Sequence, residues 1–280
     1  IRLSLVGSEM CIRDRLYAGW PDAIPGMTIN RFCSSGLDAV NIAAMKINTG
    51  QASCTLAGGI EMMSRVPMLS DQASMFADGA LALDNRMLMM GSGADLIASL
   101  NNISRQQVDQ IALQSQRRAA LARNQGYFKS IIPVYNPVKD CWVNEDECIR
   151  PELGPEDLAQ LKPYFAELGA TGVDALQLTE HPSLQAISHE HTAGNSPAMA
   201  DAASLVLLGD KSLQGQGLVP RARILAATTL CNDPLQVVSG CAAATAKLLL
   251  DQGLTSADID LFELHEAFAA TSIKSVSYTH

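Results

Sequence analysis

The chain has 280 residues, and 48% of them are hydrophobic, which is enough to bury the core of one large domain or two ordinary ones. The formal net charge is -9 and no Lys/Arg cluster stands out, which argues against a nucleic-acid groove but not against a small anionic ligand. No apolar run is long enough to span a bilayer, and the N-terminal residues lack the layout of a signal peptide.

The seven cysteines form an odd set that includes no C-x-x-C pair. This pattern favours reduced thiols over a disulfide framework, and it predicts a cytoplasmic protein. Neither the cysteines nor the five histidines have spacings typical of metal ligands, so we expect no metal and no bound cofactor.

The two ends of the chain differ in character from the rest. Residues 4–15 and 276–280 resemble translated sequencing-adapter read-through. We therefore expect residues 1–15 and 276–280 to carry no fold information, and the gene to be cut at both ends.

The first predicted elements meet at Cys33. Residues 27–32 mix β-branched and apolar side chains as a buried strand does, whereas apolar residues recur at helical spacing from Leu37 to Ile47, before Gly50. Cys33 would therefore close a strand and open a helix, where unpaired N–H groups and the helix dipole favour a nucleophilic thiolate. The alternative is a small buried hydrophobe, which is the usual role of a free cysteine.

Strand and helix signals continue along the chain. Ser104 and Gln107 form a capping box that begins a helix ended by Gly126. The remaining predictions are strands at residues 54–57, 203–209, 222–229 and 259–264, and helices at residues 155–161, 163–168 and 242–252. This order indicates two α/β halves separated by a long, mostly helical insertion.

His265 repeats the placement of Cys33 in the later half. It follows the predicted strand at 259–264 and precedes a predicted small-residue helix at 266–270. Ligands of α/β sheets lie at the carboxyl ends of strands, so we predict that His265 assists Cys33 in acyl chemistry by orienting a water or donating to an oxyanion. A satisfied core histidine is the alternative.

Four ordered motifs resemble those of the thiolase family. Residues 30–36 with 57–64 resemble its nucleophile segment, and residues 192–196 with 201–203 resemble its coenzyme A-proximal segment. Residues 265–268, His-Glu-Ala-Phe, resemble its Asn/His-Glu-Ala-Phe motif.

The resemblance implies a layered α/β/α/β/α fold with an inserted, mostly helical loop domain and an incomplete C-terminal half. It divides the chain into an N-terminal half without its first strands (16–63 plus 193–212), a loop domain (64–192) and a truncated C-terminal half (213–275).

The resemblance also implies acyl transfer through Cys33 by a ping-pong mechanism, either thiolytic cleavage of a 3-oxoacyl-CoA or the reverse condensation of acetyl-CoA. His265 would hold a water in an oxyanion hole. Acyl-CoA and coenzyme A are the implied partners, and the full-length protein is expected to be a homodimer or homotetramer. The residues assigned to substrate and coenzyme A binding are Ser34, Met89, Met90, Ala193, Gly194, Asn195, Ser196, Pro197, Ala267 and Phe268.

Several features depart from the family pattern. The Gly-His-Pro and Cys-x-Gly-Gly-Gly segments, which carry the family's second His and second Cys, are absent from these 280 residues, so we expect this chain to lack thiolytic turnover. Pro197 removes a backbone donor near the coenzyme A segment. Met89 and Met90 would line an acyl channel or simply pack in the core. A ketosynthase-like condensing enzyme and a non-catalytic acyl-CoA binder remain as rival functions.

Overall fold

The computed structural model describes residues 15–279, so the expectations for residues 1–14 and for His280 lie outside the described part of the chain. The helices contained in this range are α1 (Ser35–Asn48), α2 (Ser74–Ala77), α3 (Gly79–Asp84), α4 (Met90–Leu100), α5 (Arg105–Asn124), α6 (Pro155–Ala159), α7 (Ala166–Leu168), α8 (Asp174–Glu180), α9 (Gly240–Gln252) and α10 (Ala269–Thr279). The strands are β1 (Cys54–Met62), β2 (Val134–Asn136), β3 (Cys141–Val143) and β4 (Asp201–Gly209). Short 3₁₀ turns cover Lys211–Gln216, Pro234–Gln236 and Ser256–Asp258, and a π turn covers Gly169–Val173.

The structure confirms the two helices α5 and α9, whose end residues were predicted from capping signals. The backbone N–H of Ser104 donates to Gln107 Oε1 at 2.8 Å, which completes the capping box at the start of α5. Gly126 follows the end of α5 with φ +68, and Gly253 follows α9 with φ +66, both in the left-handed region that glycine adopts most readily. These helices were predictable because their caps are encoded within a few residues of each end.

The described chain forms two compact units, residues 15–73 with 199–227 and residues 74–198 with 228–279. In the first unit, β1 pairs antiparallel with β4 from Cys54↔Gly209 to Met62↔Asp201. A Cβ at Gly58 would lie 1.9 Å from the carbonyl oxygen of Ser204, so this pairing requires glycine there. The strand predicted at 54–57 is therefore longer in the structure, and it continues through Gly58 and Gly59 to Met62. The predicted strand at 203–209 is confirmed as β4.

Three predicted strands are wrong. Residues 27–32, 222–229 and 259–264 form no strand, and within residues 15–279 the sheets are the β1–β4 pair and the β2–β3 hairpin. A strand exists only where another strand accepts its backbone hydrogen bonds, and the described part of the chain supplies no such partner for these three segments. Cys33 therefore follows an irregular segment instead of a strand, and so does His265. The helix predicted at 266–270 begins only at Ala269.

In the second unit, α4 is the central helix. Its residues from Gly91 to Ala98 are all buried, and all of them except Asp95 are apolar or small, as expected of a helix that lies in the core. Ile97 and Ala98 pack in one apolar cluster with Val108 of α5 and Ala270 of α10. In residues 15–279 we find no helix with the length and apolar character needed to cross a bilayer.

Candidate functional site

Cys33 lies exposed in a tight turn directly before α1. Phe32 has φ +49, in the left-handed region, which is uncommon and costly for a residue with a bulky side chain. The backbone N–H of Ser35 donates to the Phe32 carbonyl at 3.0 Å, and the Ser35 hydroxyl donates to the same oxygen at 2.6 Å. The first residue of α1 thus holds the strained turn, and the turn presents Cys33 and the equally exposed Ser34 at the helix N-terminus.

Charges of both signs lie near Cys33. The positive end of a helix dipole favours an anion near the N-terminus of the helix. Asp38, also in this first turn, would oppose a second negative charge, but Arg31 forms an ion pair with it. The guanidinium therefore offsets the carboxylate at the N-terminus of α1.

Two of the sequence motifs meet in the same unit. The β1–β4 register sets Met62 opposite Asp201, and the backbone N–H of Ser64 donates to Asp201 Oδ1 at 2.9 Å. The Ser64 hydroxyl donates to the other carboxylate oxygen. Hydrogen bonds from Ser64 lower the pKa of Asp201, so this carboxylate is ionised at neutral pH. The hydrogen bonds between Ser64 and Asp201 therefore connect the turn after β1 to the first residue of β4.

In the second unit, Asn195 organises the turn over residues 192–195. Its Oδ1 accepts the backbone N–H of Thr192 at 2.9 Å, and its Nδ2 donates to Asp109 Oδ1 at 2.7 Å and to the Glu190 carbonyl at 3.3 Å. Its own carbonyl accepts the N–H of Ala269 at 3.3 Å. Asn195 is buried, so each of these bonds is made in a water-poor environment where an unpaired amide would be costly.

Asp95 is a fully buried carboxylate in the middle of α4. It accepts hydrogen bonds from the Nδ1–H groups of His189 at 2.9 Å and His191 at 2.7 Å, and from the backbone N–H groups of Glu190 and His191, both at 3.1 Å. Burial alone would raise the pKa of Asp95, but the hydrogen bonds from both histidines outweigh it and the pKa is lowered. Asp95 is therefore an anion that anchors the loop at 189–191 to α4.

His189 stands between two carboxylates. Its Nε2 lies 3.1 Å from Asp174 Oδ2, while its Nδ1 faces Asp95. The hydrogen bond to Asp95 is the main cause of a raised pKa for His189, partly opposed by burial and assisted by Asp174. Since carboxylates only accept, both ring nitrogens must donate, and the imidazolium form satisfies both bonds.

The segment at 265–268 is anchored at one end only. His265 is exposed, whereas Ala267 and Phe268 are buried. The carboxylate of Glu266 accepts the Ser115 hydroxyl of α5 at 2.8 Å. The predicted site residue His265 thus has a solvent-facing side chain on a segment whose following residues are fixed in the core.

The other predicted binding residues divide between core and surface. Met90 packs in an apolar cluster with Ala267 and Phe268, which matches the core-packing alternative for that methionine. The buried hydroxyl of Ser196 has no hydrogen-bond partner among the described residues, so its predicted role in binding stays a prediction. The remaining positions are Met89, which is half-buried, Gly194, which is half-buried, and Ala193 and Pro197, which are exposed.

Within the second unit the structure joins two of the predicted motifs. The turn at 192–195 and the start of α10, which directly follows residues 265–268, contact each other through Asn195 and His191. Cys33 and Ser34 belong to the other compact unit. Within residues 15–279, no cluster of three or more His, Cys, Asp or Glu residues is arranged to hold a metal ion.

Sequence reasoning missed Asp95 and the roles of His189 and His191. The available signal was an acidic residue, Asp95, inside an otherwise apolar helix, since a charge at such a position must have a partner. Its partners, His189 and His191, lie 94 and 96 residues later along the chain, so only the folded structure identifies them.

Comparison with protein families gives two matches. The family model described as "Thiolase, N-terminal domain" matches residues 7–180, and "Thiolase, C-terminal domain" matches residues 218–279. The chain is 36% identical over 279 residues to the 3-oxoadipyl-CoA/3-oxo-5,6-dehydrosuberyl-CoA thiolase of Escherichia coli (strain K12), covering 92% of this chain and 65% of that protein. It is 36% identical over 261 residues to the 3-ketoacyl-CoA thiolase of Cronobacter sakazakii, covering 91% of this chain and 62% of that protein.

A solved structure is also similar. The dimeric peroxisomal thiolase of Saccharomyces cerevisiae superposes with a TM-score of 0.78 at 31% identity, over 94% of this chain and 63% of that one. This match confirms the predicted α/β thiolase-like fold. The chain spans 62% to 65% of the length of the two curated relatives named above.

Proposed function

Because this chain belongs to the thiolase family, we propose that it transfers acyl groups between a cysteine thiolate and coenzyme A thioesters, with Cys33 as the nucleophile. The observation that carries the proposal is the exposed position of Cys33 directly before α1, in a turn held by Ser35. The names of the relatives, 3-ketoacyl-CoA thiolase among them, support a 3-oxoacyl-CoA as substrate.

In the proposed reaction, the Cys33 thiolate forms a C–S bond to the 3-keto carbon of the substrate. The bond between that carbon and the α-carbon breaks, and its electron pair leaves with acetyl-CoA, which then takes up a proton. The thiolate of free coenzyme A next attacks the acyl-cysteine and releases Cys33. Condensation of two acyl-CoA molecules is the same sequence in reverse.

The roles we assign in this chain are few. The first-turn N–H groups of α1 stabilise the Cys33 thiolate, and the small residues Ser34 and Ser35 leave space for a thioester beside it. His265 is exposed and so can hold a water that donates to the thioester oxygen. The 280 residues contain neither Gly-His-Pro nor Cys-x-Gly-Gly-Gly, so we expect this chain to acylate Cys33 without full thiolytic turnover.

The test is acyl transfer to the protein itself. The chain is incubated with acetyl-CoA, digested, and its cysteine peptides are weighed by mass spectrometry. We expect the acetyl increment on the Cys33 peptide, its loss in Cys33→Ser, and its retention in Cys54→Ser, a matched variant because Cys54 is also exposed. A non-catalytic binder would bind acetyl-CoA with no acetyl group on Cys33, and that outcome would refute the proposal.

We also propose that the protein acts as a homo-oligomer in the cytoplasm. The solved relative is dimeric, and β4 exposes a row of apolar side chains that includes Leu205, Val206 and Leu207. An exposed apolar strand of this kind needs a cover to avoid aggregation. Light scattering after gel filtration tests this, because a stable monomer at micromolar concentration contradicts it.

A further inference from the structure

His191 connects three parts of the second unit. Its ring is fully buried, with Nδ1 2.7 Å from Asp95 Oδ1 of α4 and Nε2 3.4 Å from the backbone nitrogen of Ala270 in α10. The ring also packs edge-on against Phe268, with centroids 5.5 Å apart and planes at 89°. The His191 side chain therefore contacts α4, Phe268 just before α10, and Ala270 in the first turn of α10.

The hydrogen bonds fix the protonation of His191. Asp95 is an ionised carboxylate and can only accept, so Nδ1 must carry a proton. Ala270 presents an N–H to Nε2, so Nε2 must offer its lone pair. These two hydrogen bonds together are satisfied by the neutral Nδ1–H tautomer of the ring. His189, between Asp95 and Asp174, holds the opposite state as an imidazolium.

The loop at 189–195 supplies the acceptors that the start of α10 lacks. The first N–H groups of a helix have no partner inside it. Here the N–H of Ala269 donates to the Asn195 carbonyl at 3.3 Å, and the N–H of Ala270 donates to His191 Nε2. Because residues 265–268 lead directly into this turn, whatever fixes the first turn of α10 also fixes the end of that segment.

We propose that His191 is a positioning residue of the acyl-transfer site. Asp95 orients the ring of His191 through Nδ1, and Nε2 on the opposite side of the ring holds the start of α10. In this way His191 places His265 relative to the turn at 192–195. The inference rests on the proposed function, since acyl transfer is what gives His265 a role. Its tests do not depend on that function, because none of them measures catalysis.

The first test uses the unmodified chain. Nitrogen chemical shifts of the ¹⁵N-labelled histidine rings at neutral pH distinguish the two tautomers from the imidazolium. We expect His191 to show a protonated Nδ1 and an unprotonated Nε2, and His189 to show two protonated nitrogens. A protonated Nε2 on His191 overturns the proposal, since that atom could not then accept from Ala270.

The second test separates the two bonds of His191 with a matched pair of variants. The amide of Gln lies near the position of Nε2, so His191→Gln keeps an acceptor for Ala270, whereas His191→Asn keeps a donor for Asp95 but cannot reach Ala270. We expect hydrogen exchange at the Ala270 amide to rise about threefold to tenfold in His191→Asn and to change less than about twofold in His191→Gln.

A control and a folding check accompany these variants. His181→Asn removes a histidine that pairs with Asp233 elsewhere in the unit, and it should leave exchange at Ala270 unchanged. Exchange at Val108 in α5 reports whether the unit is folded. Equal exchange at Ala270 in the Asn and Gln variants overturns the proposal. If the Asn variant unfolds, the ring nitrogen shifts of the unmodified chain still decide the question. If the ring nitrogen shifts and the exchange at Ala270 are as expected but Cys33 is not acylated, the proposed function is refuted and the role of His191 in holding the start of α10 is not.

Discussion

Replacement of Asp95 by asparagine should strongly destabilise the second unit. The carboxylate is fully buried and accepts four hydrogen bonds, two from histidine rings and two from backbone N–H groups of residues 190 and 191. In Asp95→Asn the amide oxygen keeps the backbone bonds, but its NH₂ group faces the protonated Nδ1 of His189. The variant loses a charge-assisted bond and leaves His189 with Asp174 alone, which costs about 3 kcal/mol of unfolding free energy.

Urea unfolding measures this loss, with amide exchange of α5 peptides reporting the second unit separately. For a urea dependence of about 1–3 kcal/mol per M, the midpoint should fall by about 1–3 M. Asp251→Asn is the control, because its exposed pair with Lys247 contributes no more than about 0.5 kcal/mol. The destabilisation by Asp95→Asn should also shrink as pH falls through the lowered pKa of Asp95, where the unmodified carboxyl is protonated too. Equal midpoints for the two variants would refute the assigned role of Asp95.

The remaining predictions concern pH and packing. The pKa of His189 is raised, so the imidazolium stabilises the fold fully at pH values below the ordinary pKa of histidine, and this stabilisation is lost as pH rises through the raised pKa. The unfolding free energy of the second unit should therefore fall between these two pH values. His189→Gln should remove this pH dependence. Gly58→Ala should destabilise the β1–β4 pair by about 3 kcal/mol or more, because its Cβ would overlap the Ser204 carbonyl oxygen. Gly59→Ala should stay within about 1 kcal/mol, since its Cβ would lie 3.5 Å from Gly36 Cα, and equal losses in the two variants would contradict the strand register.

The helices could be predicted from the sequence because their signals are local. Ser104 and Gln107 define one end of α5 and Gly126 the other, and these residues act within one turn of the positions that they cap. No local signal shows that residues 27–32, 222–229 and 259–264, which were predicted as strands, form none. Their apolar, β-branched composition suits a strand, but a strand forms only beside a partner, and the partner is not encoded in the segment itself.

The site was predictable in part for the same reason. The position of Cys33 before a helix followed from the helical spacing that begins at Leu37, and the structure places it there. The Asp95–His191 contact joins residues 96 positions apart, so no local pattern announces it. A buried charge shows that a partner is needed, but only the fold identifies which residue it is.

Competitive alkylation tests most directly whether Cys33 is the activated nucleophile that we propose. The chain is treated with a small amount of iodoacetamide, and the labelling rate of each cysteine peptide is measured. Exposure alone cannot favour Cys33, because Cys54, Cys141 and Cys231 are exposed as well, and Cys148 serves as a slow reference since burial and Asp146 raise its pKa. We predict that Cys33 reacts fastest by a clear margin. A rate for Cys33 equal to those of Cys54, Cys141 and Cys231 would contradict the account.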